Sequence, residues 1–168
     1  MGIPLSVGVN VSARNFDRGR LCEMVSAELR RWGVDPQYVQ LEITESALQG
    51  NLADIKRQIF CLRELGVSLA IDDLGCGTAN YMALAELRVH EVKVDRNLIH
   101  GIEQNGHLRL VAQGVVNTAR SLGLTACAEG VECLETMAMV RQIGCDSVQG
   151  FFVSKALSAR ELVNWLGR

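Results

Sequence analysis

One punctuation recurs along this chain and restricts its fold more than any other feature. Leu29-Arg30-Arg31-Trp32-Gly33-Val34, Leu62-Arg63-Glu64-Leu65-Gly66-Val67, Ala119-Arg120-Ser121-Leu122-Gly123-Leu124 and Val140-Arg141-Gln142-Ile143-Gly144-Cys145 share it. Each closes an amphipathic stretch with glycine and then opens a short apolar run. Glycine just beyond a helix adopts the left-handed conformation without a Cβ clash, so these four positions read as helix stops. The stretches before them carry helical spacing: Leu21, Val25, Leu29 and Trp32; Leu52, Ile55, Ile59 and Leu62; Leu108, Val111, Val115 and Leu122.

The apolar runs predict strands near 5–11, 38–44, 67–72, 91–95, 125–129 and 146–153. They start about 20–35 residues apart with helical segments between, the spacing that parallel strands joined by crossover helices need. The class is therefore α/β with a largely parallel sheet. A chain of 168 residues supports one such domain and no linker interrupts it.

Polar residues gather where these strands end. Asn10-Val11-Ser12 ends the first, Glu42-Ile43-Thr44-Glu45 the second, and Asp72-Asp73 the third. Lys93-Val94-Asp95 closes the fourth, Glu129-Gly130-Val131-Glu132 the fifth, and Gln149 falls in the last. Parallel α/β folds bind ligands at the carboxyl ends of their strands. Taken alone, an Asp-Asp pair is more often a solvated turn, and Glu42, Glu45 or Lys93 could be surface charges. Together they describe an acidic, oxygen-rich pocket with one cation, suited to hard divalent ions rather than zinc. The three histidines lie elsewhere, and the six cysteines, without a CxxC pair, read as structural thiols of a reduced, cytoplasmic compartment.

A net charge of −2 leaves no basic footprint for DNA or RNA. No apolar run reaches the roughly 18–20 residues of a membrane span, so this segment itself is expected to make no membrane contact.

The same strand ends carry a family resemblance. Asn10-Val11-Ser12, Leu41-Glu42-Ile43-Thr44-Glu45-Ser46, Asp72-Asp73-Leu74-Gly75, Lys93-Val94-Asp95-Arg96, Ala128-Glu129-Gly130-Val131-Glu132 and Gln149-Gly150-Phe151 resemble, in order and spacing, the motifs of the EAL domain family of cyclic-di-GMP phosphodiesterases. The resemblance implies an incomplete TIM-like (β/α) barrel of about six of eight units, residues 1–168 forming one partial domain. It implies Asn10, Glu42, Asp72 and Asp73 as ligands of a two-metal centre holding Mg2+ or Mn2+, with Ca2+ inhibiting. Glu129 would add a further acid to that centre, Lys93 would position the attacking water, and Gln149 would sit beside the scissile phosphate. Glu45 and Glu132 would support the loop after Asp73, with Asp95 nearby. The implied ligand is cyclic-di-GMP, and a homodimer or upstream regulatory domains are left open.

Three departures accompany it. The Glu-Ala-Leu signature, which lies upstream of the Asn10 strand, is absent, so a metal-binding glutamate and two strands are missing and weak activity or none is expected of the chain alone. The family loop Asp-Asp-Phe-Gly-Thr-Gly-Tyr-Ser-Ser reads Asp72-Asp73-Leu74-Gly75-Cys76-Gly77-Thr78-Ala79-Asn80, and the usual proline after the Gln149 segment is Ala156. These departures keep a second reading in view, a non-catalytic module that binds cyclic-di-GMP or a partner protein. A third reading, Lys93 as a Schiff-base amine with Asp95 or Glu129 as its acid–base partner, requires a depressed lysine pKa. Its carboxylate neighbours oppose that.

Overall fold

The computed structural model describes residues 5–16, 19–49, 51–75 and 81–167. Six strands, β1 (Val7–Val11), β2 (Val39–Thr44), β3 (Ser68–Leu74), β4 (Glu91–Val94), β5 (Thr125–Glu129) and β6 (Ser147–Gln149), form one sheet. They lie in sequence order and every neighbouring pair is parallel. Helices fill the connections: α1 (Ala13–Phe16) and α2 (Leu21–Trp32), α3 (Leu52–Glu64), α4 (Tyr81–Leu87), α5 (Arg96–Ile99) and α6 (Gly106–Ser121), and α7 (Leu134–Ile143), with α8 (Ala159–Leu166) after β6. The result is an α/β half-barrel, an incomplete TIM-like barrel.

The two faces of the sheet differ in chemistry because strand side chains alternate. Leu41, Ile43, Leu69, Ile71, Val92, Val94, Ala126 and Ala128 are buried together with helix residues such as Ile55, Ile59, Leu62, Val115 and Val116. The opposite face, the interior of the barrel, carries Gln40, Glu42, Ser68, Asp72, Glu91, Lys93 and Glu129. Gln40 Nε2 donates to Glu91 Oε2 at 3.0 Å, reaching from β2 to β4 across β3. Two small residues share this face, Ala70 on β3 and Cys127 on β5, both buried. The hydrophobic core thus lies outside the barrel, under the helices, and the inside is left to polar groups.

A six-stranded sheet keeps two edges. On β1, Val7 is 61% exposed, and after β6 Phe151 is 64% exposed. The amphipathic α8 buries none of its residues.

The four predicted helix stops all take positive φ, Gly33 at 62°, Gly66 at 91°, Gly123 at 73° and Gly144 at 91°. Three expectations are corrected. The last strand, expected over 146–153, stops at Gln149 because the chain turns at Gly150, whose carbonyl accepts from Val153 and Ser154 N–H. Trp32 does not join the core; it is 70% exposed, its Nε1 donating to Glu28 and its ring under the Arg31 guanidinium. On α6 the buried stripe is Ala112, Val115, Val116 and Ala119, while Val111 and Leu122 face out. The small alanines let that helix approach β4 and β5 closely.

The cysteines also differ from the expectation of free thiols: Cys22 on α2 and Cys61 on α3 form a disulfide. Cys127, Cys133 and Cys145 are free. Cys76 lies outside the described residues. Of the histidines, His90 is structural, its Nδ1 accepting from Leu69 N–H at 3.1 Å. No described helix is long and apolar enough to cross a membrane.

Candidate metal centre at the carboxyl ends of the strands

Adjacent residues on a regular strand point to opposite faces, so Asp72 and Asp73 could not both enter the barrel from an ideal β3. The strand is not ideal there. Ile71 pairs with Val92 and Leu74 with Val94, so Asp72 and Asp73 together oppose the single residue Lys93. This bulge is closed by Asp73 in the left-handed region at φ 58°, its N–H donating to Asp72 Oδ1 at 3.1 Å. Aspartate tolerates that conformation better than most residues because its short side chain bonds locally.

Lys93 is the hub of the layer. It is 4% exposed, and its Nζ lies 2.6 Å from Glu129 Oε1, 2.8 Å from Glu42 Oε2 and 3.5 Å from Asp72 Oδ1. One ammonium therefore bridges β2, β3, β4 and β5. Burial pushes its pKa down, but hydrogen bonds to Glu129 and Glu42 and the charges of Glu129 and Asp72 outweigh it, and the net shift is upward. The upward shift opposes the Schiff-base reading, which requires a depressed lysine pKa.

The carboxylates shift upward too. Burial raises Glu129, with Asp72 and Asp73 adding to the rise and Lys93 opposing it. Burial raises Asp73 as well, helped by the Asp72 charge and by a hydrogen bond and charge from Asp95. In both groups burial is the larger cause and neighbouring like charge the lesser one. Asp72, Asp73 and Glu129 each offer an oxygen, all within 4.8 Å of one another. An all-oxygen set of this kind fits a hard divalent cation.

Asn10 stands directly beside Glu42 in the β1–β2 register. Next to it opens a groove of about 540 Å3 lined by Asn10, Val11, Ser12, Arg14, Thr44 and Ser46 at the same end of the barrel. Gln149 pairs with Glu129 in the β5–β6 register. Glu45 begins the 3-10 turn Glu45–Gln49 after β2. Its Oε2 is buried without a hydrogen-bond partner, and burial raises its pKa. Asp95 is buried and caps α5, Oδ1 accepting from Asn97 N–H at 2.6 Å. Glu132 is exposed, three residues beyond the end of β5. The altered loop positions Cys76, Gly77, Thr78, Ala79 and Asn80 lie outside the described residues.

Two glycines shape the site and were not anticipated as functional. A Cβ on Gly8 would come 2.2 Å from Glu42 Oε1, so this position leaves room for the Glu42 carboxylate. A Cβ on Gly150 would come 2.1 Å from the Val131 carbonyl oxygen, so only glycine lets the chain after Gln149 pass β5. Glycine inside a strand pattern is itself a signal of close approach. Gly8, two residues before Asn10 on the same face, could have been read that way.

Comparison with known proteins bears on the family and the fold. The chain is 36% identical to the cyclic di-GMP phosphodiesterase NbdA of Pseudomonas aeruginosa over 162 residues, 96% of this chain and 21% of that protein. Among solved structures it superposes on the PaMucR phosphodiesterase in complex with c-di-GMP with a TM-score of 0.88 and 30% identity, covering 94% of this chain and 64% of that one. Klebsiella pneumoniae BlrP1, solved with c-di-GMP and manganese or calcium, matches at TM-score 0.82 and 28% identity, over 89% of this chain and 38% of that one. The chain thus spans about a fifth of the length of the curated relatives it matches. The family profile described as "EAL domain" matches residues 2–156, nearly the whole chain, and the protein belongs to the EAL domain family.

Proposed function

We propose that this chain carries the catalytic strands of a cyclic-di-GMP phosphodiesterase domain, hydrolysing the cyclic dinucleotide to linear pGpG. The observation that carries the reading is the single layer in which Lys93 meets Glu42, Asp72 and Glu129 beside the bulged Asp73. Similarity to NbdA and to the PaMucR complex supports the choice of substrate.

Asn10, Glu42, Asp72, Asp73 and Glu129 would hold two divalent ions, Mg2+ or Mn2+. When bound, such ions lower the pKa of water and neutralise charge on a phosphodiester. The remaining steps fall to the chain. Lys93, held protonated, donates hydrogen bonds and orients the attacking water, and cannot act as its base. Glu129 takes the proton that water loses as the water oxygen bonds to phosphorus; the phosphorus–oxygen bond to one ribose breaks in the same displacement, and the departing 3′-oxygen takes up a proton from solvent, which leaves linear pGpG. Gln149, at the open side of the layer, orients the phosphate, and the groove beside Asn10 receives part of the dinucleotide. Glu45 and Glu132 would support the loop after Asp73, and Asp95 steadies Asp73 by its hydrogen bond.

The test is conversion of cyclic-di-GMP to pGpG by the purified chain, followed by chromatography. We expect slow turnover in Mn2+ or Mg2+, none in Ca2+, and none for Asp72→Asn or Lys93→Met. Calorimetric binding of cyclic-di-GMP with no turnover in any metal would move the assignment to a non-catalytic binding module. Neither binding nor turnover would overturn both.

A further inference from the structure

The outer surface of the barrel carries a second polar feature, remote in character from the inner carboxylates. Between α3 and α4 runs an open crevice of about 390 Å3 lined by Lys56, Arg57, Phe60, Arg63, Glu86 and Arg88, with Ile59 and Leu87 at its floor. It gathers four cations against one carboxylate on a chain whose net charge is −2.

Two of the cations are already engaged. Lys56 pairs with Glu86, and Arg57 with Asp54 at 3.1 Å. Arg63 and Arg88 make no ion pair among the described residues. The Arg63 Nε is moreover buried without a hydrogen-bond partner. Arg88 sits at φ 48°, a conformation costly for a residue with a Cβ. Phe60, 61% exposed, lines the same crevice.

Planar guanidiniums with free donors select carboxylate or phosphate, and an exposed ring selects an apolar neighbour. A small nucleotide needs an enclosed pocket that buries most of its surface. This crevice is an open trough between two helices, which suits an extended chain better. We propose that the trough between α3 and α4 docks an acidic peptide segment, its carboxylates paired by Arg63 and Arg88 and an apolar side chain seated on Phe60. The site is independent of the catalytic reading above.

Fluorescence anisotropy of a labelled peptide of about a dozen residues, alternating glutamate with leucine, tests this on the full chain. We expect saturable binding that weakens when salt rises to roughly 0.3 M. The same peptide with glutamine for glutamate should bind at least about tenfold more weakly. Arg88→Glu, a surface change that leaves the core untouched, should abolish binding. Arg88→Asn, which tolerates the backbone conformation, should weaken it with the fold unchanged by circular dichroism. Phe60→Ala should weaken binding without changing its salt dependence. Equal binding of the acidic and neutral peptides, or wild-type affinity in Arg88→Glu, would overturn the proposal. So would displacement of the peptide by pyrophosphate that itself binds with the same arginine dependence, since that would mark a phosphate site.

Discussion

Replacing Lys93 with methionine removes one charge and keeps nearly the same volume, so it isolates the electrostatic role of the hub. Three carboxylates, Glu42, Asp72 and Glu129, would remain in one layer with side-chain exposures of 14%, 13% and 16%. Breaking a buried ion pair by removing one partner costs about 3–5 kcal/mol. The carboxylates retain some contact with solvent, so the lower end, about 3 kcal/mol, is the better figure. For a chain of this length that lowers Tm by roughly 6–12 °C. Thermal melts followed by circular dichroism, in EDTA, would measure it. Adding Mn2+ should restore part of the loss, because the metal supplies the charge that Lys93 did. The double variant Lys93→Met/Glu129→Gln should melt above the single one, since it relieves one of the stranded carboxylates. A Lys93→Met protein that melts with wild type in EDTA would refute the reasoning. It would show that the layer is solvated enough to need no internal cation.

Reducing the Cys22–Cys61 disulfide, or Cys61→Ser, opens a loop of sequence separation 39 and should cost up to about 4 kcal/mol by the chain-entropy relation. Melts with and without dithiothreitol check it, and an unchanged Tm would contradict the staple. Burial pushes the Cys127 thiol up to about 11 and the Cys145 thiol up to about 12. At pH 8 only about one Cys127 in a thousand would be thiolate, so alkylation by iodoacetamide, read by mass spectrometry, should be slow and should speed up about tenfold per pH unit until it levels near pH 11. Gly150→Ala meets the Val131 backbone and should destabilise the β5–β6 junction. Gly8→Ala meets only the flexible end of Glu42, so it should spare Tm and lower the affinity for Mn2+ in calorimetry.

Much of this architecture is legible in the residues themselves. Glycine after an amphipathic stretch leaves few choices but a helix stop, and β-branched runs at crossover spacing leave few but parallel strands. The polar strand ends were legible as a group, because no one of Glu42, Asp72, Lys93 and Glu129 would be buried without the others. What was not legible depends on partners far along the chain. The bulge exists only relative to β4, so nothing within Ile71-Asp72-Asp73-Leu74 announces that both aspartates face inward. Trp32 continues a helical stripe perfectly well, but it is 70% exposed and held by Glu28 and Arg31 of its own helix. Cys22 and Cys61 are ordinary members of two amphipathic helices until α2 is laid on α3. Arg63 and Arg88 look like solvated charges until α4 closes one side of their trough.

The left-handed turn at Asp73 has a practical consequence. It makes charge and shape separable at that position. Asparagine accepts the same backbone angle and the same bulk, so Asp73→Asn should delete the negative charge while the strand keeps its extra residue. Alanine resists that angle, and Asp73→Ala should let β3 relax toward a regular ladder, turning Asp72 as well. Two substitutions at one residue thus ask two different questions of its neighbour: whether Asp72 works without a second carboxylate beside it, and whether it works when its own direction is lost.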